Sequence, residues 1–206
     1  MSKSTRHSYK SGEDSPIDPI DFEAAFQTLN DLLGRHHQSL HVICCGGYLL
    51  QRLGFRSTLD VDAFYKSNEE IDLLIRRVGA LLDINTGRTA WLNNAVSTLS
   101  NWPDIEYCEK LYAFSNLTVD QVTIEYLMGM KLSSTRPIDT EDVGHIIKAK
   151  ELKDPIDLYK LLVGMSFRPS MVSMLEAFAY AYGDAWRAEY WKEHSEEILR
   201  MLNSNW

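Results

Sequence analysis

Cys45-Gly46-Gly47-Tyr48-Leu49-Leu50-Gln51-Arg52-Leu53-Gly54-Phe55-Arg56-Ser57-Thr58-Leu59-Asp60-Val61-Asp62 is the stretch on which the fold turns. It closes a short apolar run, Leu40 to Cys45, that reads as a buried strand. The glycine pair turns the chain, because glycine accepts backbone angles that other residues resist. Tyr48 to Leu53 then reads as a short helix. Leu59 to Tyr65 alternates, with Leu59, Val61 and Ala63 on one side and Asp60, Asp62 and Phe64 on the other, a strand signature.

The same stretch carries chemistry. A glycine pair lets the backbone come close to a ligand, and the helix behind it offers unpaired N–H groups to a phosphate. Two carboxylates at i and i+2 on a strand point the same way. Asp60 and Asp62 therefore suit one or two Mg²⁺ (or Mn²⁺) ions, which take oxygen ligands. Such metals bridge phosphate oxygens, activate an attacking hydroxyl and stabilise a leaving pyrophosphate. Arg56 and Thr58, just before the carboxylates, are placed to contact phosphate or base. Alone, a Gly-Gly is usually a turn and an Asp-x-Asp a solvated strand face. Their combination in a strand–glycine–helix–strand frame is what favours a site.

Outward from this stretch, Asp21 to Leu33 has helical spacing, with Phe22, Ala25, Phe26, Leu29, Leu32 and Leu33 on one face and Gly34 as the stop. Ser67, followed three residues on by Glu70, reads as a capping box that opens a helix lined by Ile71, Leu74, Ile75, Val78 and Leu81. Thr89 to Leu99 reads as helical. Tyr107 to Val119 reads as one or two strands broken at Ser115-Asn116. Beyond Val122 every periodic segment is helical: Tyr126 to Leu132, Thr140 to Lys148, Ile156 to Val163, Met171 to Tyr182 and Ala185 to Leu202. Pro137, Pro155, Pro169 and Gly183 punctuate them. The expected organisation is a flexible polar tail over 1–19, an α/β domain over 20–120 and a helical domain over 121–206.

Composition bounds the function. The 206 residues are 45% apolar and 11% aromatic, enough for a core of one or two small domains. Twenty-nine acidic against 21 basic residues give a net charge of −8, which argues against duplex DNA as a partner and fits a site that gathers carboxylates around a metal. No apolar run approaches the ~18 residues that span a bilayer, and the N-terminus has no signal-peptide core, so a cytoplasmic location is expected and no membrane partner. Cys44 and Cys45 are neighbours in an apolar run and read as buried thiols. His36-His37 lacks partners at ligand spacing and reads as structural. The aromatics Phe178, Tyr180, Tyr182, Trp186, Tyr190 and Trp191 fall at helical spacing and read as core or subunit contact rather than a base-stacking platform.

Gly46-Gly47, then twelve residues, then Asp60-x-Asp62 resembles the signature of the DNA polymerase β-like nucleotidyltransferase superfamily. The form that includes Gly54-Phe55-Arg56 and Thr58 is similar to its minimal bacterial branch, which includes abortive-infection (AbiEii-type) toxins. Leu127-Met128-Gly129-Met130-Lys131-Leu132 through Arg136, Asp139 and Asp142-Val143 resembles a second block of that branch, and Trp91-Leu92-Asn93-Asn94 its Trp-Leu-Asn-Asp element. The resemblance covers about residues 40 to 150. It implies an α+β fold, a small mixed sheet flanked by helices, followed by an all-α C-terminal part. It implies transfer of an NMP from an NTP to a hydroxyl on a tRNA 3′ end or a protein, with an antitoxin as a further partner. By the same resemblance Lys131 contacts nucleotide phosphates. A lysine ending an apolar helix face also reads as a snorkelling side chain. Arg136, Asp139 and Asp142 read equally as an ion-pair network around Lys131 or as ordinary helix capping. The superfamily's third carboxylate has no single match. Glu106, Glu109 and Asp120 are the candidates, and Asn94 stands where the resembling families have Asp. Without that carboxylate the chain reads instead as an inactive relative that binds a nucleotide or a partner protein.

Overall fold

Strand β1 (Leu40–Cys45) lies at the centre of a five-stranded mixed sheet in the computed structural model, which describes residues 20–84, 87, 89–99, 101–134 and 136–204. The tail expected over 1–19 lies outside the described residues. The other strands are β2 (Val61–Phe64), β3 (Leu92–Asn93), β4 (Cys108–Ala113) and β5 (Leu117–Val122), in the order β3-β2-β1-β5-β4. β1 runs antiparallel to β2 and parallel to β5, and β3 runs parallel to β2. A mixed sheet flanked by helices and followed by a helical part is the α+β architecture the sequence implied.

Helices α1 (Phe22–Arg35) and α3 (Glu69–Leu82) pack together. The stripe Phe22, Ala25, Phe26, Leu29, Leu32 and Leu33 is buried throughout, as its spacing requires. α2 (Gly47–Arg52) connects β1 to the loop before β2. The helices α5 (Ile124–Leu132), α6 (Pro137–Ala149), α7 (Pro155–Gly164), α8 (Met171–Tyr182) and α9 (Asp184–Ser204) follow the sheet, with α8 against α6, α7 and α9. Phe178, Trp186 and Tyr190 stack in series between α8 and α9, so these aromatics serve packing.

Three local readings are corrected. Thr89 to Leu99 is not one helix: Leu92-Asn93 is taken as β3 by pairing with Val61-Asp62, which leaves only α4 (Val96–Leu99). Tertiary pairing overrides a weak local preference there. Ser67 and Glu70 form no capping box. Asn68 caps α3 by accepting from the Ile71 N–H, while Glu70 accepts from Gln38 and pairs with His36. At about 100° per residue Leu81 falls at the edge of the stripe set by Ile71, Leu74, Ile75 and Val78, and it is 60% exposed. Finally, β2 begins at Val61, so Asp60 and the exposed Leu59 precede the strand.

Candidate nucleotidyl-transfer site

Gly46 is where the strand becomes a site. Its backbone sits at φ +66°, ψ −144°, a conformation reserved for glycine, and a Cβ there would lie 2.6 Å from Asp62 Oδ2. The carboxylate of Asp62 thus rests directly on the Gly46 backbone. A Cβ on Gly47 would come within 2.8 Å of the Thr58 hydroxyl, so the second glycine admits the loop that precedes the carboxylates. The register sets Asp62 opposite Cys45 on one side and Asn93 on the other. The Cys45 thiol donates weakly to the Asp62 carbonyl at 3.4 Å, and burial, then the nearby Asp62 charge, push its pKa up, so it is an inert neighbour.

Asp60 is half-buried beside Asp62. Burial first, and then the Asp62 charge, raise its pKa, against hydrogen bonds that favour the charged form. The Thr58 hydroxyl lies 3.2 Å from the Asp60 carbonyl and 3.4 Å from Oδ1. The Asn93 side-chain amide donates to Asp60 Oδ2 at 3.1 Å. Two carboxylates therefore meet in partly desolvated surroundings. A divalent cation relieves that repulsion, and Mg²⁺ is typically held by one or two carboxylates plus substrate phosphates and water. The donor set fits such an ion.

Opposite stands a buried charge network. Lys131 Nζ donates to Asp139 Oδ1 and to Asp142 Oδ2, both at 2.7 Å, with the lysine side chain 6% exposed. Arg56 grips Asp142 in a two-pronged contact, Nε to Oδ1 at 2.9 Å and Nη2 to Oδ2 at 3.1 Å. Arg136 does the same to Asp139, which also accepts from the Ser134 hydroxyl at 2.6 Å. Burial raises the Asp139 pKa, but hydrogen bonds from Lys131, Ser134 and Arg136 hold it below its ordinary value. Of the two readings left open by the sequence, the network is the one formed. α6 starts at Pro137 rather than Thr140, its N-cap is Arg136, and no side chain caps it.

Between these features runs a cleft of about 1370 Å³. Gly46 and Asp62 form one part of its wall, Lys131, Ser134, Arg136 and Asp139 another, and Trp102, Tyr107, Tyr126 and Phe167 supply aromatic surface. Five elements of sequence, from residue 45 to residue 168, converge there. Arg56 reaches the site through Asp142, and Thr58 through Asp60 and Gly47.

The three candidate third carboxylates are elsewhere. Asp120 lies on β5 and accepts from, or pairs with, His41 Nε2 at 2.7 Å. Glu109 accepts from Gln121, and Glu106 is exposed on a single 3-10 turn (Ile105–Tyr107). None lines the cleft, whose acidic lining residues are Asp62, Asp104 and Asp139, with Asp60 next to Asp62 but not in the lining, and among the described residues no group of three acidic, His or Cys side chains is placed to hold a metal. The residue beside the pair is Asn93. Sequence reasoning named Asn93 only within the Trp91-Leu92-Asn93-Asn94 element, because the β2–β3 register is what sets its amide against Asp60.

Neither a curated protein nor a solved structure matches the chain. A family model does, over residues 21–194, and its description is "Nucleotidyltransferase of unknown function (DUF6036)". The matched span includes the glycine pair, both carboxylates, Asn93 and the whole Lys131 network, and by that match the chain belongs to this nucleotidyltransferase family.

Proposed function

We propose that the protein moves an NMP from an NTP to a hydroxyl acceptor at the cleft between Asp62 and Lys131. The observation that carries this reading is the pairing of two close, partly desolvated carboxylates with a net-positive wall of three cations to two aspartates. In a chain of net charge −8, that wall is the local feature suited to a triphosphate. Lys131 uses two N–H groups on Asp139 and Asp142, and the third is available to a phosphate oxygen. Arg56 and Thr58 act through their partners, fixing Asp142 and Asp60. The attacking hydroxyl oxygen bonds to the α-phosphorus, and the bond to the β-phosphate oxygen breaks. Pyrophosphate leaves with that electron pair, and the hydroxyl proton passes to a carboxylate of the pair. A bound Mg²⁺ or Mn²⁺ on Asp60 and Asp62 supplies the positive charge that this transfer requires.

The acceptor in this reading is a tRNA 3′ end or a protein, as in the AbiEii-type toxins that the two sequence blocks resemble. An antitoxin that restrains the enzyme in the cytoplasm is the matching partner. Incubation with each labelled NTP, Mg²⁺ and total tRNA or protein extract tests it. Label transfer by the wild type and none by Asp60→Ala/Asp62→Ala is expected, and equal transfer by both proteins would sink the mechanism. Asn93 beside the pair favours a second reading, a nucleotide- or partner-binding protein without transfer. NTP binding by calorimetry with no label moved to any acceptor selects that one.

A further inference from the structure

Asn93 occupies a place where its chemistry is unusual. It sits on β3, in register with Asp62, and turns its amide towards Asp60. The orientation of that amide is fixed at both ends. Its Oδ1 accepts from the Ala95 backbone N–H at 3.3 Å, and its Nδ2 donates to Asp60 Oδ2 at 3.1 Å. A backbone N–H only donates and an ionised carboxylate only accepts, so flipping the amide would set donor against donor and acceptor against acceptor. Asn93 therefore offers nitrogen, not oxygen, to the space beside Asp60.

A second cation next to Asp60 would need two things that this arrangement removes. It would need a further oxygen ligand from β3, since Mg²⁺ and Mn²⁺ take oxygen donors and reject an N–H₂ group. It would also need the Asp60 lone pair that now accepts from Asn93. Adjacent-metal sites sit ~3.5–4 Å apart and require bridging oxygens that ligate both ions. Of the other acidic residues, Asp120 is on β5 and held to His41, two strands away from β2, Asp139 is bonded to Lys131, Ser134 and Arg136, and Asp104 lines the cleft from the segment before Ile105–Tyr107 rather than from β3. Resting on the transfer reading above, we infer that Asn93 restricts this site to one divalent cation, held by Asp60 and Asp62 with the triphosphate. Asn93 is a positioning residue. It fixes the Asp60 carboxylate in the role that a second metal ion would otherwise fill.

Equilibrium dialysis of the full chain against Mn²⁺ and the four α,β-methylene nucleoside triphosphates counts protein-bound metal without turnover. The wild type is expected to retain one Mn²⁺ per chain, Asn93→Ala also one, and Asn93→Asp two. Mn²⁺ plus nucleotide should also raise the melting temperature of Asn93→Asp more than that of the wild type, because three carboxylates repel one another until cations arrive. Two Mn²⁺ on the wild type overturns the inference, and that result needs no variant to fold. A folded Asn93→Asp that stays at one overturns it as well. The transfer reading fails separately: wild type and Asp62→Asn then bind equal amounts of nucleotide-dependent Mn²⁺, or none, and the inference falls with it.

Discussion

The two walls of the cleft handle charge in opposite ways. The Lys131 wall leaves neither of its carboxylates unpaired and carries one cation in excess: each buried aspartate meets two cations, and the carboxylates are 1–2% exposed. The Asp60–Asp62 wall is incomplete, with two carboxylates side by side and only neutral groups, Thr58 and Asn93, bonded to Asp60. Buried ion pairs seldom add net stability over well-packed apolar residues, but they fix geometry firmly. Like charges left facing each other cost stability and gain it back when a ligand supplies the missing charge. The first wall is thus a rigid frame with charge to spare for a phosphate, and the second a site prepared for a cation.

The largest effect should come from breaking the frame. Asp142→Ala removes one of Lys131's partners and the only side chain that grips Arg56 among the described residues. Lys131 keeps Asp139 and Arg56 is partly exposed, so breaking this half of the network falls at the low end for a buried pair, about 3 kcal/mol. For a chain of this size that is a fall in Tm of roughly 10 °C in thermal unfolding. A loss under about 1 kcal/mol would show that the network is dispensable and the contrast between the walls unfounded. The next effect strikes the junction of strand and site. Gly46→Ala forces a Cβ into a glycine-only conformation and against Asp62 Oδ2, at a cost of about 2 kcal/mol. Urea unfolding measures it, and nucleotide-dependent Mn²⁺ binding should drop in the same variant, because the carboxylate must move. Unchanged metal binding would detach Asp62 from the site.

A smaller effect lies outside both walls and serves as their control. Asp154 caps α7 through the Ile156 and Asp157 N–H groups and accepts from the Tyr190 hydroxyl of α9. Burial raises its pKa, but those hydrogen bonds hold it below the ordinary value. Asp154→Ala should cost about 1 kcal/mol and leave transfer per folded molecule untouched. A change in the transfer rate would mean that the helical part controls the cleft more closely than its packing indicates.

How much of this was legible in the sequence follows from which interactions are local. The glycine pair, Asp62 and the buried face of α1 depend on spacing within a few residues, and each stands where its spacing put it, whereas Asp60 falls just before β2. The second block was legible as a cluster but not as a geometry, because Arg56 and Asp142 are 86 residues apart and only the folded chain brings them to 2.9 Å. β3 was lost because two residues have no periodicity of their own, and their strand exists only through pairing with β2. With β3 lost, the place of Asn93 against Asp60 was lost too. The capping error had the same source: Ser67 and Asn68 are both good N-caps, and packing of Ile71, Leu74, Ile75 and Val78 against the core decides between them.

The smallest effect has the opposite sign, and so discriminates best between the walls. Asp60→Asn removes one of two facing charges while keeping an oxygen that accepts from Asn93. It should stabilise the metal-free protein by on the order of 0.5 kcal/mol, a Tm rise of about 1–2 °C, while transfer is lost. The pH dependence follows the same division. A carboxyl whose folded pKa is raised, as for Asp60, penalises the fold at neutral pH, and the penalty lifts as pH falls through that raised value. Carboxyls whose folded pKa is lowered, as for Asp139 and Asp154, contribute fully above the unfolded value of about 3.9 and lose their contribution as pH falls below it. Mild acidification should therefore narrow the gap in Tm between Asp60→Asn and wild type, and strong acidification should destabilise both alike. A gap that widened on the way down to about pH 4 would mean that Asp60 is stabilised as an anion in the metal-free fold. The incomplete wall would then already be neutralised by the protein itself, with no charge left for a metal ion to supply.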